Sequence, residues 1–468
     1  MAYTLTIDGD AVESKETFDV VNPATEQVVS AAPQATAEHV DRAIEAAQRA
    51  FQPSWTEDEG LRRSLLNKAA DALLGAVGEL APVLTAEQGK PIGDAEREVR
   101  ITAERFSYAA SLEMPVDVIQ DDDDALVKVT RRPIGPTAAI APWNSPLVTG
   151  AGKVAPALRA GNTVILKPSP FTPLSTLMVG EILREIFPPG TLNVLSGEEP
   201  LGQSLTTAPA IRKISLTGSV ATGRVVGTAA MQDFKRVTLE LGGNDAAIVL
   251  PDADPAEIAS KIFAAAFANC GQVCVAIKRL YVPRPLHDEL VEQLVRLAGD
   301  LVVGDGSDRT TQMGPLTNEQ QLAWVVHLVE DAVAAGATVA HGGHRLDRPG
   351  YFHAPTIVTG AKHGMDLVDL EQFGPVLPVI AYDDVEEAIA QANSTEVGLG
   401  GSVWTRDIQR GREISRKLQS GTVWINAHRV LAAHQPFGGL KSSGVGVHAG
   451  LLGMLEFTDV QVVRESRG

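Results

Sequence analysis

Two cysteines, Cys270 and Cys274, are all that this chain of 468 residues contains. So few thiols exclude a disulfide framework, leave too few thiolates for a cysteine-based zinc site, and imply a reducing compartment. Basic charge is also short, with 40 Lys and Arg against 58 Asp and Glu and a net charge of −18. That balance disfavours nonspecific binding to nucleic acid or to an anionic membrane. No uninterrupted apolar run reaches the length that spans a bilayer, and Met1 to Asp10 lacks the basic and apolar regions of a secretion signal. Internal repeats are missing, and so is the G-x-G-x-x-G dinucleotide fingerprint. What remains is the expectation of a cytoplasmic, metal-free protein. Its 44% hydrophobic content and its length suit two or three domains around a large core, the usual scale of small-molecule catalysis.

Residues 1 to 30 read as hairpin strands around the turn signals Asp8-Gly9-Asp10 and Asn22-Pro23. Val40, Ile44, Ala47 and Phe51 then recur at helical spacing behind Thr36, a candidate N-cap. Leu61 to Leu80 and Ile92 to Leu112 continue the helical pattern. Between Val116 and Arg132 the pattern is strand-like around four acids, Asp121 to Asp124, which read as a solvated hairpin turn or, alternatively, a cation site.

From Gly135 short apolar strands alternate with helical stretches: Thr137 to Ala141, Thr163 to Lys167, Thr191 to Leu195, Arg212 to Thr217 and Arg236 to Leu241. Such alternation indicates α/β architecture with a parallel sheet, where dinucleotides bind at carboxyl strand ends. After Thr217, Gly218-Ser219-Val220-Ala221-Thr222-Gly223 opens a helix whose amides suit a pyrophosphate, although such a stretch is also an ordinary turn. A second α/β unit follows, with strands at Ala246 to Leu250, Arg279 to Val282 and Val376 to Tyr382.

Glu240 and Cys274 stand beside glycines in Glu240-Leu241-Gly242-Gly243-Asn244 and Asn269-Cys270-Gly271-Gln272-Val273-Cys274. A thiol and a carboxylate base are what covalent catalysis on a carbonyl uses. Around them, in order, lie Pro142-Trp143-Asn144-Ser145-Pro146, Leu166-Lys167-Pro168-Ser169, Thr217-Gly218-Ser219, Glu371-Gln372-Phe373-Gly374-Pro375 and Pro436-Phe437-Gly438-Gly439. Taken together, the chain resembles the NAD(P)-dependent aldehyde dehydrogenase superfamily over essentially its whole length.

The resemblance implies a Rossmann-type cofactor domain at 1–114 and 134–242, an α/β catalytic domain at 243–452, and a small β oligomerisation arm at 115–133 and 453–468. The run Glu456 to Arg464 would pair with a neighbouring subunit in a homodimer or homotetramer. Cys274 would be the nucleophile, Glu240 the general base that hydrolyses the thioester, and Asn144, with the Cys274 backbone amide, the oxyanion donor. Cys270 reads as structural, or as a partner in an inhibitory disulfide. Trp143, Lys167, Ser169, Gly218, Ser219, Leu241, Glu371 and Phe373 would hold the cofactor.

Two departures from the family pattern stand out. Pro170 occupies the place where many NAD-preferring relatives carry an acid, yet NAD is favoured over NADP. His448 replaces the glutamate of a Gly-x-Glu-x-Gly stretch, and either relays protons or packs. By analogy with relatives, Gly150, Ala151, Gly152, Ala268 and Leu431 line the substrate tunnel. Their small side chains imply a medium or bulky hydrophobic aldehyde, aromatic or branched. Arg429 raises the alternative of a carboxylate-bearing semialdehyde. A cofactor-free thiol esterase built on Cys274 is the rival from another class.

Overall fold

The computed structural model describes residues 3–467. Its first sheet realises the alternating pattern, each expected strand being met to within one residue at either end: Thr137–Ile140, Val164–Lys167, Leu192–Val194, Lys213–Thr217 and Arg236–Glu240. Almost every residue of the first four is buried, as expected for parallel strands covered by helices on both faces. In space the third strand lies beside the second, the second beside the first, and then come the fourth and fifth, all parallel. The order therefore reverses between Thr137–Ile140 and Lys213–Thr217. At such a reversal the loops run to opposite sides and leave a crevice, the place where dinucleotides bind in open α/β sheets.

Antiparallel strands close both edges of this sheet. Leu5–Ile7, hairpinned to Asp10–Val12, pairs with Leu192–Val194, and Gly444–Val445 pairs with the end of Arg236–Glu240. Residues 444–445 fall within the range expected for the second unit, yet they complete the first sheet. The second sheet runs Thr338–His341, Thr356–Thr359, Val376–Tyr382, Ile277–Pro283, Asp245–Val249, Gly400–Trp404 and Thr422–Ile425. Three of these were legible in advance. Gly400–Trp404 was not, because Gly398 to Gly401 reads as a turn until neighbouring backbone is known to need the space.

Each sheet carries its own hydrophobic core, one built mainly from residues 5–241 with Met454 and Phe457, the other from residues 246–418. The helix Ala37–Ala50 is capped by Thr36, whose Oγ1 accepts from the His39 amide at 3.4 Å while His39 Nδ1 accepts the Thr36 amide at 3.2 Å. Val40, Ile44 and Ala47 face the core. Among the described residues no single helix is long and apolar enough to cross a membrane.

Asp117–Asp121 and Ala125–Pro133 form the projecting hairpin, with the acidic run at its turn. Asp122 Oδ1 accepts from the amides of Asp124 and Ala125 at 2.9 and 3.0 Å, so the run caps a turn. Among the described residues no cluster of three or more His, Cys, Asp or Glu side chains is arranged to hold a metal ion. The C-terminal strand Thr458–Ser466 pairs residue for residue with Ala125–Pro133 of the same chain, at the edge of a three-stranded sheet. Only its outer edge remains for a neighbour.

Candidate active site

The helix Pro255–Phe267 stops abruptly, and Asn269, Cys270 and Gly271 all take left-handed φ values of 51°, 60° and 70°. Gly271 is required there, since a Cβ would collide with the carbonyl of Gly374. This reversal delivers Cys274, half-buried, into the space between the two sheets.

A network fixes the turn. Asn269 Nδ2 donates to the Asn144 carbonyl at 2.9 Å, and Asn144 Nδ2 donates to the Gln272 carbonyl at 2.9 Å. The Thr317 amide donates to Gln272 Oε1 at 2.9 Å. Lys278 Nζ donates to the carbonyls of Val273 and Cys274 at 2.8 and 2.7 Å. Asn144, expected from the sequence, is thus bonded into the cysteine loop with one amide hydrogen committed and a second still available. Below it, Lys90 Nζ donates to the Asn144 carbonyl at 3.0 Å and pairs with Glu98, both buried.

Burial pushes the Cys274 thiol up to about 12, Lys278 opposing the rise while Glu240, Glu371 and Asp245 add to it. The thiol therefore needs a base or a cation to ionise near neutral pH. Cys270 is buried outright and faces the second core, which fits the structural reading.

Glu240 ends the strand Arg236–Glu240, pairs in register with Thr217, and is only 6% exposed. Its Oε1 has no hydrogen-bond partner. Burial raises its carboxyl above the usual range, and Lys153 pulls the other way. Lys153 is fully buried, donates to Thr217 Oγ1 at 2.8 Å, and is itself lowered by burial. Gly438, from the Pro-Phe-Gly-Gly stretch, passes so close that a Cβ there would lie 3.8 Å from Glu240 Oε1. His448 is tied to the same stretch through reciprocal backbone bonds with Phe437 at 2.6 and 2.8 Å. Its Nε2 is buried without a partner, and burial with Lys153, Lys213 and Arg105 around it holds the ring well below its usual range. A neutral imidazole results near pH 7.

The crevice between the first and fourth strands gathers the expected cofactor residues. Ser219 caps the helix Val220–Gln232, its Oγ accepting from the Thr222 amide at 3.1 Å. Gly223 must lack a side chain because a Cβ would strike Leu241, so helix and strand pack as closely as in a glycine-rich dinucleotide loop. Trp143 and Phe373, from opposite sheets, meet edge to face with ring centroids 5.3 Å apart. Glu371 Oε1 accepts from the Gly243 amide at 3.2 Å and lies 3.3 Å from Lys278 Nζ. Lys167 ends the second strand, 7% exposed, with Ser169 buried just beyond it. A Rossmann strand order, a helix N-terminus at the switch point, and a cation with hydroxyls and carboxylates around it suit a nicotinamide dinucleotide.

Residues 11–463 match the aldehyde dehydrogenase family. The chain belongs to that family. It is 39% identical to the aldehyde dehydrogenase LUC3 of a Fusarium species over 462 residues, spanning 98% of this chain and 97% of that protein. It is 35% identical to the betaine aldehyde dehydrogenase of Bacillus subtilis over 479 residues, spanning 99% and 97%. Among solved structures, the NAD+ complex of an aldehyde dehydrogenase from Bacillus cereus superposes with a TM-score of 0.97 at 36% identity, covering 100% of this chain and 97% of that one. The protein is an aldehyde dehydrogenase, an oxidoreductase acting on aldehydes.

Within this aldehyde dehydrogenase the tunnel expectations divide. Gly150 and Ala151 do not face a passage. They pack beneath Leu166 and Val154 inside the first core, because the helix Pro146–Arg159 turns that face to the sheet. A Cβ on Gly152 meets nothing within 4 Å, and Ala268 is half-buried at the cysteine turn. Leu431 and Arg429 are exposed on the loop after Thr422–Ile425, with Asp94 and Arg97 the charges that act on Arg429.

Sequence reading missed the supports. Ser443 Oγ donates to the Gly242 carbonyl at 2.7 Å and its own carbonyl accepts from Leu241 at 2.9 Å, clamping the glycine pair. Asp245 and His428 are both buried, with Oδ2 and Nε2 3.4 Å apart. Lys153 left a usable signal, since it is a lone lysine within an apolar run.

Proposed function

We propose that this aldehyde dehydrogenase oxidises a medium or bulky hydrophobic aldehyde to the carboxylic acid, with NAD preferred to NADP as acceptor. The observation that carries the reading is the convergence of Cys274, Asn144 and Glu240 on the crevice where the strand order reverses. Trp143, Lys167, Ser169, Gly218, Ser219, Leu241, Glu371 and Phe373 would hold the nicotinamide dinucleotide there, and when bound it would supply the hydride acceptor.

The chain's own residues do the rest. The Cys274 thiol gives its proton to the Glu240 carboxylate, which passes it to water, and the sulfur bonds to the aldehyde carbon as the carbonyl π bond opens, turning a flat carbonyl into a tetrahedral thiohemiacetal with charge on oxygen. The second amide hydrogen of Asn144 and the backbone N–H of Cys274 meet that charge; losing one such donor costs about 3 kcal/mol in the transition state. Once the carbon has lost hydride, the acyl group is held as a Cys274 thioester. Glu240, at a strand end with an unpartnered oxygen, takes a proton from the attacking water, and the carbon–sulfur bond breaks to give acid and thiol.

Val430 and Leu431, exposed apolar side chains on the loop that relatives use to line the tunnel, and the open face of Gly152 support an apolar substrate. For assembly, the outer edge of Thr458–Ser466, with Val460, Val462 and Val463 exposed, is the surface for a second subunit. The deciding test is reduced-nicotinamide formation across aromatic, aliphatic and acidic aldehydes, with NAD and NADP separately, beside Cys274→Ala. Benzaldehyde and longer aliphatic aldehydes should exceed acetaldehyde in kcat/KM, with turnover absent in Cys274→Ala. A higher specificity constant for acetaldehyde would sink the substrate reading. A preference for succinate semialdehyde would return Arg429 to the site.

A further inference from the structure

We propose that Glu199, on the loop after the third strand of the first sheet, is the residue that selects NAD over NADP, a claim resting on the nicotinamide-dinucleotide reading above. In a parallel sheet of this strand order, the residue ending the second strand meets the adenosine ribose, and an acid there binds the free 2′-hydroxyl. Here that strand ends in Lys167, and Pro168, Ser169 and Pro170 follow without an acid. A lysine alone at this place favours a 2′-phosphate.

The missing negative charge comes from the neighbouring loop. A Cβ on Gly202 would lie 3.4 Å from Glu199 Oε1 and 3.8 Å from Lys167 Cε, so the two side chains converge over one point. Glu199 is exposed, and among the described residues no cation stands within 4.0 Å of it. Lys167 Nζ donates only to the Pro168 carbonyl, at 3.2 Å. Glu199 is also the acid whose charge opposes the lowering of Lys167 by burial. Donor and acceptor thus stand side by side without being consumed by each other, the arrangement that two adjacent ribose hydroxyls satisfy. A phosphate in the same place gains the ammonium but sets two negative charges against the carboxylate and forfeits the hydrogen bond that a 2′-hydroxyl donates to Glu199.

Glu198 supplies an internal control. It is equally acidic and exposed, but its backbone amide is held by Gln34 Oε1 at 3.0 Å, and it does not act on Lys167. Replacing either glutamate alters net charge equally, so only a local effect separates them.

The test is equilibrium binding, by calorimetry on the full-length protein, of NAD, NADP, AMP and adenosine 2′,5′-bisphosphate to wild type, Glu199→Gln and Glu198→Gln. Wild type should bind AMP more tightly than the bisphosphate. Glu199→Gln should tighten the bisphosphate and NADP by about tenfold, weaken NAD no more than a few-fold, and lose this gain as salt rises. Glu198→Gln should match wild type. Retained NAD binding reports that the variant is folded, and Glu199→Asp should keep the discrimination. Equal behaviour of the two glutamine variants, or an unchanged ratio in Glu199→Gln, overturns the assignment to Glu199. Wild type that binds NADP more tightly than NAD, or neither, overturns the cofactor reading itself.

Discussion

At the scale of single residues, the chemistry depends on where burial has moved proton affinities. In the proposed role Glu240 acts on water only when deprotonated, and burial has raised its carboxyl against the pull of Lys153. The hydrolytic rate should therefore rise with pH along a limb set well above the ordinary carboxylate range near 4.5. Glu240→Gln should remove that limb and lower kcat by about a hundredfold or more, read as steady-state rate against pH. A wild-type limb at the ordinary carboxylate position would refute it. Cys274 and Glu240 were both legible from their glycine-flanked motifs, whereas the shifts that adjust them come from Lys153, Lys278 and Asp245, which no local pattern places nearby.

The same scale holds the buried pair of Asp245 and His428. Trp404 Nε1 donates to Ser402 Oγ at 2.9 Å, which frees the serine hydroxyl to donate to His428 Nδ1 at 2.9 Å and leaves Nε2 to carry a hydrogen toward Asp245. Each is otherwise an orphan. His428→Leu should therefore cost about 3 kcal/mol in urea unfolding by stranding a buried carboxyl oxygen and a hydroxyl. A loss below about 1 kcal/mol would mean that water or a neighbour satisfies them.

Among the elements, the cysteine turn illustrates how far a motif can be read. Its residues were recognisable as a string, but their left-handed path follows from the backbone of Gly374 occupying the space that a side chain on Gly271 would need. Gly271→Ala should destabilise the protein by about 2 kcal/mol or more and displace Cys274 enough to cost about a hundredfold in turnover. Urea unfolding beside the rate of thiol labelling would show it, and an unaltered labelling rate would count against the argument. The parallel strands of the first sheet were found almost to the residue because burial on both faces makes them continuous apolar runs. Gly400–Trp404 was hidden because glycines in a strand signal a turn unless close backbone approach is known.

For the whole molecule, the C-terminal strand is the informative case. Pairing with Ala125–Pro133 fills one edge and leaves the other unpaired, and apolar Val460, Val462 and Val463 are exposed on the faces of this edge strand. An uncovered strand edge of this kind is an association site unless a partner protects it. Sedimentation at micromolar concentration should show a dimer or tetramer for wild type and dissociation for Val462→Lys. An unchanged sedimentation coefficient would place the interface elsewhere.

The sequence by itself determined the α/β class and the strands of the first sheet, and it singled out the cysteine, glutamate and asparagine of the proposed site, because these depend on local periodicity and on residue types that few structural roles demand. Tertiary structure alone decided that Gly150 and Ala151 serve the core, that residues 444–445 complete the first sheet, that His448 is a neutral ring beside cations, and that Glu199 stands near Lys167 on another loop. Those outcomes depend on which distant segments share a face, a desolvated pocket or a strand edge, and contacts of that range leave no period in the chain.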